Sequence, residues 1–208
     1  LDAVMLSEDV YQLGLRGYMN RDDNTLLAEN LLHARKALRD QLREPEFAAF
    51  FESFDPERFN HNATLGENLL FGATVGATLS LAKLSAAPQV RALLDATSLT
   101  PELLRIGRVI AETMVEIFSG LPAGHPFFEQ FSFISAGDLP AYSEILVRAG
   151  KLGATALPAE DQQLLLALPF GYIEARHRLG LIDANMEKLL LAARREFSTK
   201  LPPEYRGA

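Results

Sequence analysis

The chain has no cysteine and no tryptophan among its 208 residues. Without cysteine there are no disulfides, no thiolate zinc or iron–sulfur sites and no cysteine nucleophile. The composition fits a reducing compartment. Positive charge is scarce: 20 Lys plus Arg face 27 Asp plus Glu, a formal net charge of −7. Phosphate neutralisation needs clustered basic residues, so nucleic acid is not an expected partner. Long apolar runs are also missing. The longest stretch without Asp, Glu, Lys or Arg is 15 residues, Asn68 to Ala82. That is shorter than the roughly 20 needed to span a bilayer. No basic segment precedes an apolar one at the start, so no secretory signal is visible. Period-2 alternation is nearly absent as well, with residues 131–134 the only strand-like candidate.

What remains is a helical pattern in a chain that is 48% hydrophobic and 23% charged, a globular composition long enough to bury a core. The expected fold is all-α, an irregular multi-helix domain of about eight to ten helices. A first helix is expected from Ser7 to about Met19. Asn24 or Thr25 can cap a second, to about Arg43, with Leu27, Leu31, Ala34, Leu38 and Leu42 on one face. Pro45 stops it and can open a short Phe-rich helix, Glu46 to Phe54. Thr64-Leu65-Gly66-Glu67 has the spacing of a capping box, with Gly72 a plausible stop. Pro88 opens a helix to about Ala96.

Thr100-Pro101-Glu102 combines an N-cap, a first-turn proline and an acid. The helix it announces has the stripe Leu103, Ile106, Ile110, Met114, Ile117 and ends by Gly120. Further helices are expected from Ser135 or Asp138 to Ala149, from Pro158 to Leu168, from Tyr172 to Leu179, and from Asp183 to Thr199. The chain reads as a single helical domain over 1–208, with a possible sub-lobe boundary near 150–158. The start at Leu1, without Met, reads as the edge of a longer chain.

Chemistry-bearing motifs are few. Glu174-Ala175-Arg176-His177 has the Glu-x-x-His spacing that four-helix di-iron proteins use twice, but it occurs once, and His33, His61 and His125 are not placed to complete it. A surface Glu–His pair is the plainer reading. Ser132, Ser135, His125 and Asp138 can be assembled into a triad only on paper, since triads are recognised by geometry. There is no Gly-x-Ser-x-Gly elbow. Gly72-Ala73-Thr74-Val75-Gly76 sits in too short an apolar run for a membrane dimer motif. No Gly-x-x-x-x-Gly-Lys-Ser/Thr or Gly-x-Gly-x-x-Gly occurs, so this chain lacks a phosphate cradle. No catalytic, metal-binding or cofactor-binding residue is therefore assigned. The loop carrying His125, Phe127, Phe128 and Phe131 is a candidate partner-binding loop, weighed against the plainer reading that its aromatics pin a crossing loop to the core.

One stretch, Phe54-Asp55-Pro56-Glu57-Arg58-Phe59-Asn60-His61-Asn62-Ala63-Thr64-Leu65-Gly66-Glu67-Asn68-Leu69-Leu70-Phe71-Gly72, resembles the segment after the Q-loop of ATP-binding cassette (ABC) transporter ATPases. Thr64, Glu67, Asn68, Leu69, Phe71 and Gly72 match that family's short motif. Residues 110–115, 124–134 and 168–182 are similar to segments of a helical insertion in a bacterial group of these ATP-binding proteins. The resemblance covers about residue 54 to the end. It implies a non-catalytic accessory or regulatory domain in ATP-driven transport, at the cytoplasmic face of the inner membrane. Its partners would be the rest of the parent ATPase and the transmembrane domain, with ATP and Mg bound elsewhere in the parent. Asp55, Glu57, Arg58, Asn60, Thr64, Glu67 and Asn68 are then candidate domain-interface residues. The Walker loops, Q-loop Gln, Leu-Ser-Gly-Gly-Gln signature and switch His are not identifiable, so no catalytic role transfers. The alternatives are a free-standing adaptor using the aromatic loop and a metal-dependent helical enzyme using Glu174 and His177.

Overall fold

The computed structural model describes residues 22–51, 55–72, 81–122, 124–131 and 134–200. These are all-α, with no strand among them. Ten α-helices follow in order: α1 Thr25–Leu42, α2 Pro45–Ala48, α3 Leu65–Leu70, α4 Pro88–Ala96, α5 Leu99–Phe118, α6 Pro126–Phe131, α7 Leu139–Leu152, α8 Ala159–Phe170, α9 Glu174–His177 and α10 Ala184–Lys200. Two 3₁₀ turns, Leu81–Ala86 and Ala154–Ala156, link them. The first expected helix, up to Met19, lies outside the described residues, as do the strand-like candidate's Ser132 and Phe133 and most of the Gly72–Gly76 motif.

The chain divides into two compact units, Leu1–Glu52 and Ser53–Ala208. The suggested boundary at 150–158 falls inside the second unit. There Leu157 is buried, and the Arg148 Nε and Nη2 donate to Asp161 at 2.7 and 3.0 Å across the turn.

In the first unit, α1 starts where its cap predicts: the Asn24 Oδ1 accepts the Leu27 N–H at 3.0 Å. The short helix expected over 46–54 is present as Pro45–Ala48, with residues 52–54 outside the described part.

The second unit is organised around α5, which packs on α4, α7, α8 and the Ala154–Ala156 turn. Leu103, Ile106, Ile110 and Met114 are buried as the stripe predicts, but Ile117 is half exposed and Phe118 takes the core position, stacked at 4.8 Å against Phe128. The helix also starts earlier than its sequence signal. Ser98, at φ 57°, is the N-cap and makes no side-chain cap bond, and the Thr100 hydroxyl instead donates to Asp95 at 2.7 Å. Leu99, completely buried, draws the helix back by one residue beyond the polar cap.

The tightest crossing lies between α5 and α8. A Cβ at Gly107 would collide with the Leu165 carbonyl. Pro169, inside the last turn of α8, has no N–H to give that carbonyl, yet α8 runs on to Phe170 rather than ending at the expected Leu168. The gap in the helix ladder and the missing side chain face each other. Elsewhere α9 spans only four residues of the longer expected helix, and α10 is capped by Asp183, whose Oδ1 accepts the Met186 N–H at 2.7 Å.

Candidate functional site

The 55–72 segment folds upward from local polar chemistry. The Asp55 carboxylate accepts the Glu57 N–H at 2.8 Å, turning the chain. Asn60 turns it again by accepting the Asn62 N–H at 2.9 Å. Thr64 and Glu67 form the predicted capping box: the Thr64 Oγ1 accepts the Glu67 N–H at 3.0 Å, and the Glu67 Oε2 accepts the Thr64 N–H at 2.8 Å. Asn68, completely buried, ties the loop to the helix. Its Oδ1 accepts the Asn60 N–H at 2.9 Å, and its amide donates to the carbonyls of Asn60 and Thr64 at 2.8 and 3.0 Å.

The segment is closed from far along the chain by Arg194 on α10, which is 2% exposed. Its Nε donates to the Asn68 carbonyl at 2.6 Å and its Nη2 to the Asn68 Oδ1 at 2.9 Å. Its Nη1 donates to the carbonyls of Asp55, Pro56 and Arg58 at 2.9, 3.1 and 2.9 Å. Each guanidinium nitrogen is thus bonded to the protein, and none of these bonds goes to a carboxylate. Burial lowers the Arg194 pKa; the nearby charges of Asp55 and Glu57 oppose that shift. The same cation lies 5.3 Å from the Phe71 ring centroid. Phe71 ends α3 in the left-handed conformation at φ 59°, a place that favours glycine. Glycine follows it at Gly72.

The candidate interface residues therefore separate into two sets. Asn60, Thr64 and Asn68 are buried and engaged within the unit, so they hold the segment rather than offer it to a neighbour. Glu57 and Arg58 face outward, Glu57 accepting from the Arg195 Nη2 at 2.8 Å. Asp55 and Glu67 are half-buried and serve the turn and the cap. Sequence reasoning missed Arg194. One signal was available: it lies four residues after Leu190 and three before Phe197, on the buried stripe of α10, where a charge is out of place.

The stretch expected as an aromatic loop is instead helix α6, Pro126–Phe131, and its residues also divide. Phe128 packs on Phe118, whereas Phe127 is half exposed and stands edge-on to His125 at 4.9 Å, its N–H donating to the His125 Nδ1 at 3.3 Å. The Phe131 side chain lies outside the described part. Ser135 does not meet His125 in any bond of the structure; its hydroxyl donates to Asp138 at 2.7 Å.

Glu174 and His177 bond to neighbours close in sequence, several of them backbone N–H groups. The Glu174 carboxylate accepts the Tyr172 hydroxyl at 2.9 Å and the N–H groups of Gly180 and Ile182 at 3.2 and 3.3 Å. The His177 Nδ1 accepts the Ile173 N–H at 2.9 Å. Burial, then Arg176, lowers the His177 pKa, and burial pushes Tyr172 up to about 12. Among the described residues no group of three His, Asp or Glu is placed to hold a metal. No helix among them is long and apolar enough to cross a membrane.

Fold and site together define an all-α unit with a motif clamped by a buried guanidinium. The chain matches no protein-family model, no curated protein and no solved structure.

Proposed function

We propose that the chain is a non-catalytic helical accessory or regulatory domain of an ABC transporter ATP-binding protein, acting through interaction and coupling. One observation supports the reading above the others. The stretch that resembles the post-Q-loop motif is a short capped helix held by Arg194, with Glu57 and Arg58 turned outward. Such a segment transmits a push without deforming, because its backbone is bonded to a helix more than a hundred residues further on. The residues of this chain do not fit a nucleotide: the sequence holds no glycine-rich loop with the Lys that reaches terminal phosphates. On this reading ATP and Mg bind elsewhere in the parent, at the cytoplasmic face of the inner membrane, and the partners are the parent's nucleotide-binding core and transmembrane domain.

The coding sequence on either side of this segment is the first test. A Gly-x-x-x-x-Gly-Lys-Ser/Thr upstream and a Leu-Ser-Gly-Gly-Gln-like signature downstream are expected. A reading frame that begins and ends near residues 1 and 208 overturns the proposal. In the full-length protein, Arg58→Ala is then expected to lower transport-coupled ATPase activity while the fold of the domain persists. Unchanged ATPase and transport would remove the interface role.

A further inference from the structure

We infer that α1 is a self-association surface, pairing antiparallel with α1 of a second copy of this chain. Helix α1 has 18 residues, and in proteins a helix is held mainly by burying an apolar face rather than by propensity. Yet α1 buries only Ala28. Leu27, Leu31 and Leu38 remain 45%, 47% and 55% exposed on one face, with the half-buried Leu42 at its end, while the exposed Leu26 and Leu32 lie off that face on either side. A contiguous stripe of this kind marks an interaction surface.

Two features of the helix point to a second copy as its cover. The stripe is its own complement when reversed: with Ala34 and Arg35 at the crossing point, Leu27 meets Leu42 and Leu31 meets Leu38 of the other copy. A two-fold axis demands this self-complementarity. Charge agrees. Asp22, Asp23 and Glu29 make residues 22–32 net −3, and Arg35, Lys36, Arg39 and Arg43 against Asp40 make 33–43 net +3. Antiparallel pairing sets the acidic half beside the basic half, and parallel pairing sets like against like. The contact is small and belongs with weak, reversible interfaces. The inference does not rest on the ABC reading.

Sedimentation of the 208-residue chain from low-micromolar to near-millimolar concentration tests it, with reversible dimerisation expected. L31E/L38E is expected to stay monomeric while the near-ultraviolet signal of the second unit is unchanged. The absence of native cysteine allows a register test. Leu27→Cys chains mixed with Leu42→Cys chains should cross-link on mild oxidation, whereas neither should cross-link with itself. Like positions would stand about 22 Å apart, beyond disulfide reach. A chain that is monomeric throughout, a dimer that survives L31E/L38E, or a Leu27–Leu27 cross-link each overturns the proposal.

Discussion

Helices α1 and α5 are similar in length, 18 and 20 residues, and both carry an apolar stripe at helical spacing. Their surroundings are opposite. Helix α5 buries nine residues, from Leu99 to Phe118, and is covered on several sides. Helix α1 buries one. Periodicity therefore specifies a helix and the direction of its apolar face, but not how many residues of that face are buried. Coverage depends on residues distant in sequence.

The largest expected effect lies at the α5 crossing. Gly107→Val drives a side chain into the Leu165 backbone, which cannot swing aside as a side chain can. A loss of more than about 3 kcal/mol in chemical denaturation is expected. A stable variant would show that the two helices can separate. The direct contrast comes next. Ile110→Ala, at a fully buried site, should cost roughly 2–5 kcal/mol, whereas Leu38→Ala, at low protein concentration, should stay within about 0.5 kcal/mol. Equal losses would erase the difference between the helices.

Arg194→Met follows. It keeps much of the side-chain volume but leaves four carbonyls and the Asn68 amide oxygen without this donor, an expected loss of roughly 2–4 kcal/mol. Hydrogen exchange should locate the loosening at 55–72. A variant as protected there as the wild type would mean that Arg194 is not the clamp. Thr64→Ala removes one half of the capping box and should cost about 1 kcal/mol, measured in the same titration.

The smallest effect expected is pH dependence. The His177 pKa is lowered in the fold, so over the range below about 6.5 the unfolded chain binds the extra proton first. Stability is therefore full above that range, falls as pH falls toward the folded value, and then levels. Protonation also turns the Nδ1 acceptor of the Ile173 N–H into a donor. Melting temperature against pH should flatten over this range in His177→Asn. An unchanged slope would assign the dependence to other groups.

Much of the fold was legible from local signals. The Asn24, Thr64 and Asp183 caps and the helix opened by Pro88 stand where the residues place them, because a cap's bonds join residues three apart and need no distant partner. The start of α5 was misread from equally local signals, because burial of Leu99 outweighed the polar cap at Thr100. The 150–158 stretch read as a possible sub-lobe boundary, and the Arg148–Asp161 pair that bridges it joins residues 13 apart, beyond the reach of a local signal. Within the candidate site, Asn60 and Asn68 were picked as polar residues facing a neighbour, and they face each other instead. Eight residues separate them, too many for a cap rule to connect.

By itself the sequence determined an all-α chain without cysteine, and most places where a helix must start. Those properties follow from residue type and from contacts within one or two turns. Only the tertiary structure decided the Gly107–Leu165 crossing, the split after Glu52, the engagement of Glu174 and His177 with backbone, and the burial of Arg194. Each depends on groups brought together by the folding of the whole unit. A buried cation is tolerable only where several carbonyls converge on it, and their convergence is a property of the packed chain.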